Sequence, residues 1–589
     1  MLDMLLGLPI GPLAQAKEWW VTSWLTPIWF LAVGVAFGLI ALAICVAIFR
    51  ALSMITPWER LSHSPAGHVV GAILTAGLAG AIWAYLPDPF KGSSELREPL
   101  LLGIALALCC SIIGWSFVFC AGKQPAREAV RTLTDGAAGY LMICAFSIVG
   151  IGAVIWAFGF SGKPIVARPI QAILSIPQLF STGERTFTFD VPGRPSDGEA
   201  ELVPVDLPVN FELLARVSVS SNVRVLLADA ADSSLFNRVP VDVAAGDETT
   251  WDRNQKLEEM PIPYAEGSQL HIQNKEIVDA KVVVTLYTNP PVTEATTFIV
   301  TGIVVLLIGL AILLQQAVAP RASAVAHATL KNELAQPLFL VLMLLGTCLI
   351  LLFEFLSFNT FGEDIKLLKD CGITTIMLLA AFQGVWSASS SVSEEIEGKT
   401  ALTVLSKPIQ RRSFVIGKFL GIFWVLFLIF VVLGSIELGA VSYKPLYDAR
   451  EASETTPDWQ MCHLEMISTI PGLAMAFMQS VVLTAISVAL ATRLPQLANL
   501  SVCFAIYVIG NLTTSLVSST QEGFEIVKFV AQLVATVIPI LEHFSLQAAI
   551  DAGNPITMSL LSGNLVYCLL YVMLAMFLAL LLFEDRDLA

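Results

Sequence analysis

Apolar stretches of about 20 residues recur along the chain. Each is long enough to cross a bilayer as a helix, which satisfies its own backbone where water is absent. Eleven qualify: Pro27 to Phe49, His68 to Leu86, Leu100 to Cys120, Tyr140 to Phe160, Thr297 to Val318, Pro337 to Leu356, Cys371 to Ser390, Phe414 to Ala440, Met466 to Thr492, Leu497 to Leu516 and Leu565 to Phe583. Composition agrees. Hydrophobic residues make up 56% and charged residues 14%, and the mean hydropathy of +0.75 lies far outside the soluble globular range. The pattern predicts an α-helical polytopic membrane protein of about 11 transmembrane helices.

One long segment, about Pro169 to Val292, breaks the rule. Short alternating runs (TFTFDV, LLARVSVS, VRVLLAD, LHIQN, KVVVTLYT) are separated by turn-forming GRPSDG, SSN, AAGDE and NP. Period-two alternation between turns is the mark of an antiparallel sheet, here an inserted all-β, sandwich-like domain. It also holds most of the net charge of −15, with 18 acidic and 9 basic residues from Glu184 to Pro290. Asp229, Asp232, Asp242, Asp247 and Asp252 are spread through it without the spacing of a calcium-binding EF-hand, so they read as solvated acidic loops.

Eleven spans put the termini on opposite sides, and Lys and Arg concentrate in cytoplasmic loops. With the C-terminus cytoplasmic, inner loops hold 14 such residues, against 8 in the short outer loops, or 10 with Lys163 and Arg168. That orientation leaves the N-terminus outside, residues 166–293 extracytoplasmic, and the chain in the cytoplasmic (inner) membrane. The start, MLDMLLGLPIGPLAQAKEWW, has no basic leader and is broken by Asp3, Pro9 and Pro12, against a cleaved signal peptide.

Several function classes are disfavoured. The acidic balance gives nucleic acid no electrostatic footprint. Only six histidines occur, with neither a zinc helix motif nor a Gly-x-Ser-x-Gly elbow, so no catalytic residue and no metal ligand is assigned. Eight of ten cysteines lie in apolar runs as small core hydrophobes, and Cys371 and Cys462, near span edges, read as free thiols rather than a disulfide. Gly398, Lys399 and Thr400 end like a P-loop, yet Ser393 stands where its first glycine is needed and no buried strand precedes. Within the spans the carboxylates are Glu354 and Glu437, near predicted outer ends; such groups are functional candidates because their burial is costly. Gln383, Trp386, Tyr507 and Asn511 could line a substrate path, or pack helices together.

The segment between the seventh and eighth spans carries both charges, with Leu402 and Leu405 sharing one face of a short helix and Lys407, Arg411, Arg412 and Pro408 around it. A small apolar ridge framed by charge can dock into a partner's groove; it also fits the positive-inside rule. From Ser391 to Lys418 the pattern Ser-x-Ser-Glu-Glu-Ile-Glu-x-x-Thr-x-x-x-x-Leu-Ser-x-Pro-Ile-x-Arg-x-x-Phe-x-x-Gly-Lys resembles the cytoplasmic loop of type 2 ABC exporter permeases. The resemblance covers about residues 323–589. Within it TLKNELAQPLF (Thr329 to Phe339) resembles the family's elbow helix, Phe524 to Leu546 its re-entrant helix pair, and LLLFEDRDLA its charged tail.

The resemblance implies that this loop holds a coupling helix touching a separate ATP-binding subunit. Glu395, Glu397, Thr400, Leu402, Leu405, Ser406, Pro408, Arg411 and Arg412 would make that contact. It further implies that the chain is a permease subunit rather than an enzyme. ATP and Mg would be bound by cytosolic ABC ATPase subunits, and the core would pair as a homodimer or with a related permease, surrounded by membrane lipid. The expected organisation is a four-helix membrane region (1–165), the β domain (166–293), a linking span (294–322) and the permease core (323–589). The rival expectation is a membrane-anchored binding or assembly protein whose β domain recognises an envelope partner.

Overall fold

The computed structural model describes residues 20–62, 64–85, 97–135, 137–157, 183–194, 202–205, 214–228, 241–252, 270–288, 295–356, 364–394, 410–453, 457–519, 529, 538–545 and 558–584. The chain divides into two compact units. One comprises residues 1–80, 95–163 and 301–589; the other comprises 81–94 and 164–300.

The second unit holds eight strands: β1 (Gly183–Val191), β2 (Leu202–Val205), β3 (Leu214–Ser221), β4 (Val225–Ala228), β5 (Val241–Val243), β6 (Glu248–Asp252), β7 (Leu270–Asn274) and β8 (Ala280–Thr288). They form two four-stranded sheets, ordered β1-β8-β3-β6 and β2-β7-β4-β5, with every pairing antiparallel. Alternation sets the inner faces: Val282, Val284 and Leu286 of β8 are buried with Val217 and Val219 of β3, and Leu227 and Ile272 of the other sheet join the same core. The five expected runs are β1, β3, β4, β7 and β8. The other three strands, 4, 3 and 5 residues long, lie outside those runs. At the exposed edge Arg224 grips Asp242 in a fork, with Nε donating at 3.1 Å and Nη2 at 2.5 Å. These donated hydrogen bonds, helped by Lys275, hold the Asp242 carboxyl below the usual carboxylate range.

The first unit is helical. Its N-terminal part comprises α1 (Trp20–Leu52), α2 (Thr56–Ser62), α3 (Ala66–Tyr85), α4 (Arg97–Phe119), α5 (Lys123–Asp135) and α6 (Ala137–Ala157). After the sheets come α7 (Ala295–Val318), α8 (Pro320–Ala335), α9 (Pro337–Phe355), α10 (Asp364–Ala388), α11 (Arg411–Glu451), α12 (Trp459–Ala491), α13 (Gln496–Ser519) and α14 (Met558–Glu584). Nine helices among the described residues are long and apolar enough to cross a membrane. The other two expected spans fall on α6, whose qualifying apolar part is the shorter Met142–Val154, and on α10, which opens on the charged Asp364, Lys366, Lys369 and Asp370. Core helices α10, α11, α12 and α14 share one hydrophobic cluster. The N-terminal region packs onto this core: Phe30 of α1 meets Trp459 edge-on at 5.2 Å, and Ser442 donates to the Trp24 carbonyl at 2.8 Å.

Three boundaries differ from the sequence reading. The helix preceding α9 begins at Pro320 rather than Thr329 and stops at Gln336, whose extended backbone suits the residue before Pro337. Helix α11 runs on past Ala440 to Glu451, because Lys444, fully buried, pairs one turn on with Asp448 at 3.2 Å and extends the packed surface. Helix α12 starts at Trp459, seven residues before Met466, since Trp459 and Cys462 bury against the bundle. Of the expected re-entrant segment Phe524 to Leu546, only residue 529 and residues 538–545 are described, including a tight turn at Leu541–Phe544. It is pinned to α14 by the Ile540 N–H donating to the Tyr567 hydroxyl and by Asn564 donating to the His543 carbonyl.

Helix α8 and helix α11 approach unusually closely. A β-carbon at Gly417 would stand 2.7 Å from the Ala322 carbonyl oxygen, and one at Gly421 would stand 2.6 Å from Thr329 Cβ. Two glycines four apart let two helix backbones touch, which matters where lipid supplies no hydrophobic drive between helices. All ten cysteines are free thiols, Cys371 and Cys462 included.

Candidate functional site

Helix α10 leads towards the loop through a π turn, Ser389–Glu394. Such turns insert a residue into the helical ladder and recur at functional sites. Two buried polar clusters hold this root. On one side Asn499, at the start of α13, donates to Ser389 Oγ at 2.8 Å and to the Ser487 Oγ and carbonyl at 3.0 and 3.2 Å, while the Cys503 thiol donates to its oxygen at 3.4 Å. On the other side Gln383 donates to Ser387 Oγ at 3.0 Å, and the Ser387 hydroxyl donates to Glu333 Oε2 of α8 at 2.5 Å. Gln336 donates to the second Glu333 oxygen at 3.3 Å.

The returning leg opens α11. Arg411 Nη1 donates to the Glu584 carbonyl at 3.2 Å, Arg412 lies 3.9 Å from the Glu584 carboxylate, and Phe414 stacks on Phe583 with ring centroids 5.9 Å apart. Gln410, Arg411, Arg412, Leu580, Phe583 and Glu584 line an open cavity of about 410 Å³. Arg411 and Arg412 are thus the coupling candidates given a place. Glu395, Glu397, Thr400, Leu402, Leu405, Ser406 and Pro408 lie outside the described residues.

A third polar group sits in the core around α10, α11 and α12. Lys369 donates to Glu465 Oε2 at 2.5 Å and to Ser468 Oγ at 2.7 Å. Lys444 pairs with Asp448 and reaches the Glu354 carbonyl at 3.4 Å. Glu354 and Glu437 are buried beside these cations, near enough to feel each other's charge, and their four carboxylate oxygens have no hydrogen-bond partner among the described residues.

The six residues considered for a substrate path therefore separate. Glu354 and Glu437 share the charged group, and Gln383 belongs to the chain ending on Glu333. Trp386 tilts against Phe382 at 6.2 Å. Tyr507 and Asn511 lie one turn apart on α13, where Gln479 donates to Asn511 and Asn511 to the Tyr507 carbonyl. Sequence reasoning missed Glu333, Lys369, Lys444 and Asn499. The first had a readable signal: Ala322, Ala326, Thr329 and Glu333 are spaced four, three and four apart, one stripe of a helix, and all four are buried.

Residues 347–588 match the family model described as ABC-2 family transporter protein. This region is similar to the ABC-2 family transporter domain. Such a domain is the membrane permease component of an ABC transporter, not its ATPase, and implies association with an ABC ATPase subunit. With the apolar helices it makes the protein a multi-pass membrane protein. The match begins within α9, so α1 to α8 and both sheets precede the permease domain it covers. No curated protein matches the chain significantly.

Proposed function

We propose that the chain is the permease subunit of an ATP-driven exporter, taking its driving force through the loop at residues 395–409. The observation supporting this is the family match across 347–588, which spans that loop and both helices flanking it. ATP and Mg are bound by cytosolic ATPase subunits; Glu395, Glu397, Thr400, Leu402, Leu405, Ser406, Pro408, Arg411 and Arg412 form the contact. Two cores, from two copies or from this chain and a related one, enclose the path. Closure of the ATPase pair on nucleotide pushes on the loops and shifts the core between inward- and outward-facing states, a population change that needs contact differing between the two. The termini and sheets take the orientation read from charge: N-terminus and residues 166–293 outside the cytoplasm, C-terminus within it, in the inner membrane.

The test is ATP hydrolysis by the ATPase subunit that co-purifies with the full chain in lipid nanodiscs. Glu395→Ala and Arg411→Ala should lower it several-fold while leaving membrane insertion unchanged. Hydrolysis at the wild-type rate in both variants would overturn the assignment, as would purification without any ATPase.

A further inference from the structure

Helix α8 touches, along one face, both helices that flank residues 395–409. The carbonyls of Ala322 and Ala326 and the side chains of Val325 and Thr329 lie against Gly417 and Gly421 of α11, the returning leg. One turn further along that face, the fully buried Glu333 accepts from Ser387 of α10, two residues before the π turn of the outgoing leg. The chain of donors has a direction: the Gln383 amide feeds Ser387, and Ser387 feeds the carboxylate. Dry surroundings strengthen each hydrogen bond of this chain and make a lost partner costly. The glycine contact resists change for another reason, since backbones already touching have no closer packing to find.

We propose that α8 is a bracket fixing the spacing of the two loop legs, with Glu333 as the positioning residue that ties the outgoing leg to it. Any push on the loop then moves α10, α11 and α8 together instead of prying the two legs apart. This consequence for coupling rests on the function proposed above; the bracket itself does not.

Hydrogen–deuterium exchange of the full chain in lipid nanodiscs, read by mass spectrometry, separates the two. Glu333→Ala and Ser387→Ala should each speed exchange across residues 389–394 by about tenfold, the change in local opening that loss of one buried hydrogen bond produces. The double variant should fall short of the product of the two single effects, because the bond between Ser387 and Glu333 is lost in both. Glu333→Gln, whose amide oxygen still accepts from Ser387, should stay near the wild-type rate, and peptides from α12 should not change in any variant. Wild-type exchange at 389–394 in Ser387→Ala overturns the bracket, as does an equal rise in α12. Should Glu333→Ala not accumulate as folded protein, the contrast between Ser387→Ala and Glu333→Gln decides in the same way. If exchange responds as expected while hydrolysis by the co-purified ATPase keeps its wild-type rate in Ser387→Ala, the bracket stands and the coupling role assigned to the loop falls.

Discussion

The Glu437 carboxylate occupies the space beside Gly372 where a β-carbon would stand. Helices α10 and α11 therefore meet there across bare backbone, and any side chain at 372 must displace a buried group. Gly372→Val should destabilise the protein by about 1–3 kcal/mol, the range for overpacking a filled interior. Thermal unfolding in detergent reads this directly, with Gly77→Val as the comparison because a β-carbon there meets nothing within 4 Å. Equal unfolding temperatures for the two variants would show that α10 and α11 do not pack this way.

Lys369 and Glu465 form the second test. Lys369 is almost wholly buried, its partner less so, with side-chain exposures of 8% and 28%. Removing the lysine leaves both Glu465 and the neighbouring Glu437 without this cation, whereas removing Glu465 leaves Lys369 still near Glu437. Lys369→Met should therefore cost more stability than Glu465→Gln, on the scale of about 3–5 kcal/mol for breaking a buried pair. The reverse order of unfolding temperatures would count against the charge arrangement described.

The Gly421 contact with Thr329 predicts a graded response. Gly421→Ala should lower the unfolding temperature, and Gly421→Leu should lower it further and free α8 to exchange. Gly434, whose added β-carbon would meet Leu473 only at 3.4 Å, should accept alanine without penalty. A Gly421→Leu protein with wild-type exchange in α8 would mean the two helices do not touch.

The Arg224–Asp242 fork gives the β region a pH signature. Because the folded carboxyl lies below its ordinary value near 3.8, the stabilisation is present above that value and is lost as pH falls through the lower folded value. Both partners are exposed to solvent, which screens the pair, so the contribution is small. In wild type, exchange at residues 225–228 and 241–243, corrected for intrinsic rate, should rise as pH drops below about 4; Asp242→Asn should flatten that rise. An identical profile in Asp242→Asn would remove the fork as its cause.

Much of this architecture was legible from local pattern. The spans announced themselves by length and apolarity, and five of the eight described strands by alternation. Arg411 and Arg412 were placed next to a membrane boundary by the same reading that singled out the loop. Helix ends were harder: α11 outran its apolar stretch because Lys444 found Asp448 one turn on, and α12 began early because Trp459 found the bundle. The buried stripe of α8 lay in plain view as a four-three-four spacing, yet its glutamate looked like an ordinary charged residue of an amphipathic helix.

By itself the sequence determined that the chain is a membrane protein interrupted by a sheet region, because bilayer thickness and side-chain alternation act on neighbouring residues and sum along the chain. Only the tertiary structure decided which polar groups inside the bundle meet. Ser387 finds Glu333 across 54 residues, Lys369 finds Glu465 across 96 and Asn499 finds Ser389 across 110. Each partner is chosen by which helix faces which after packing, and a buried polar group holds its place through a neighbour that no local pattern names.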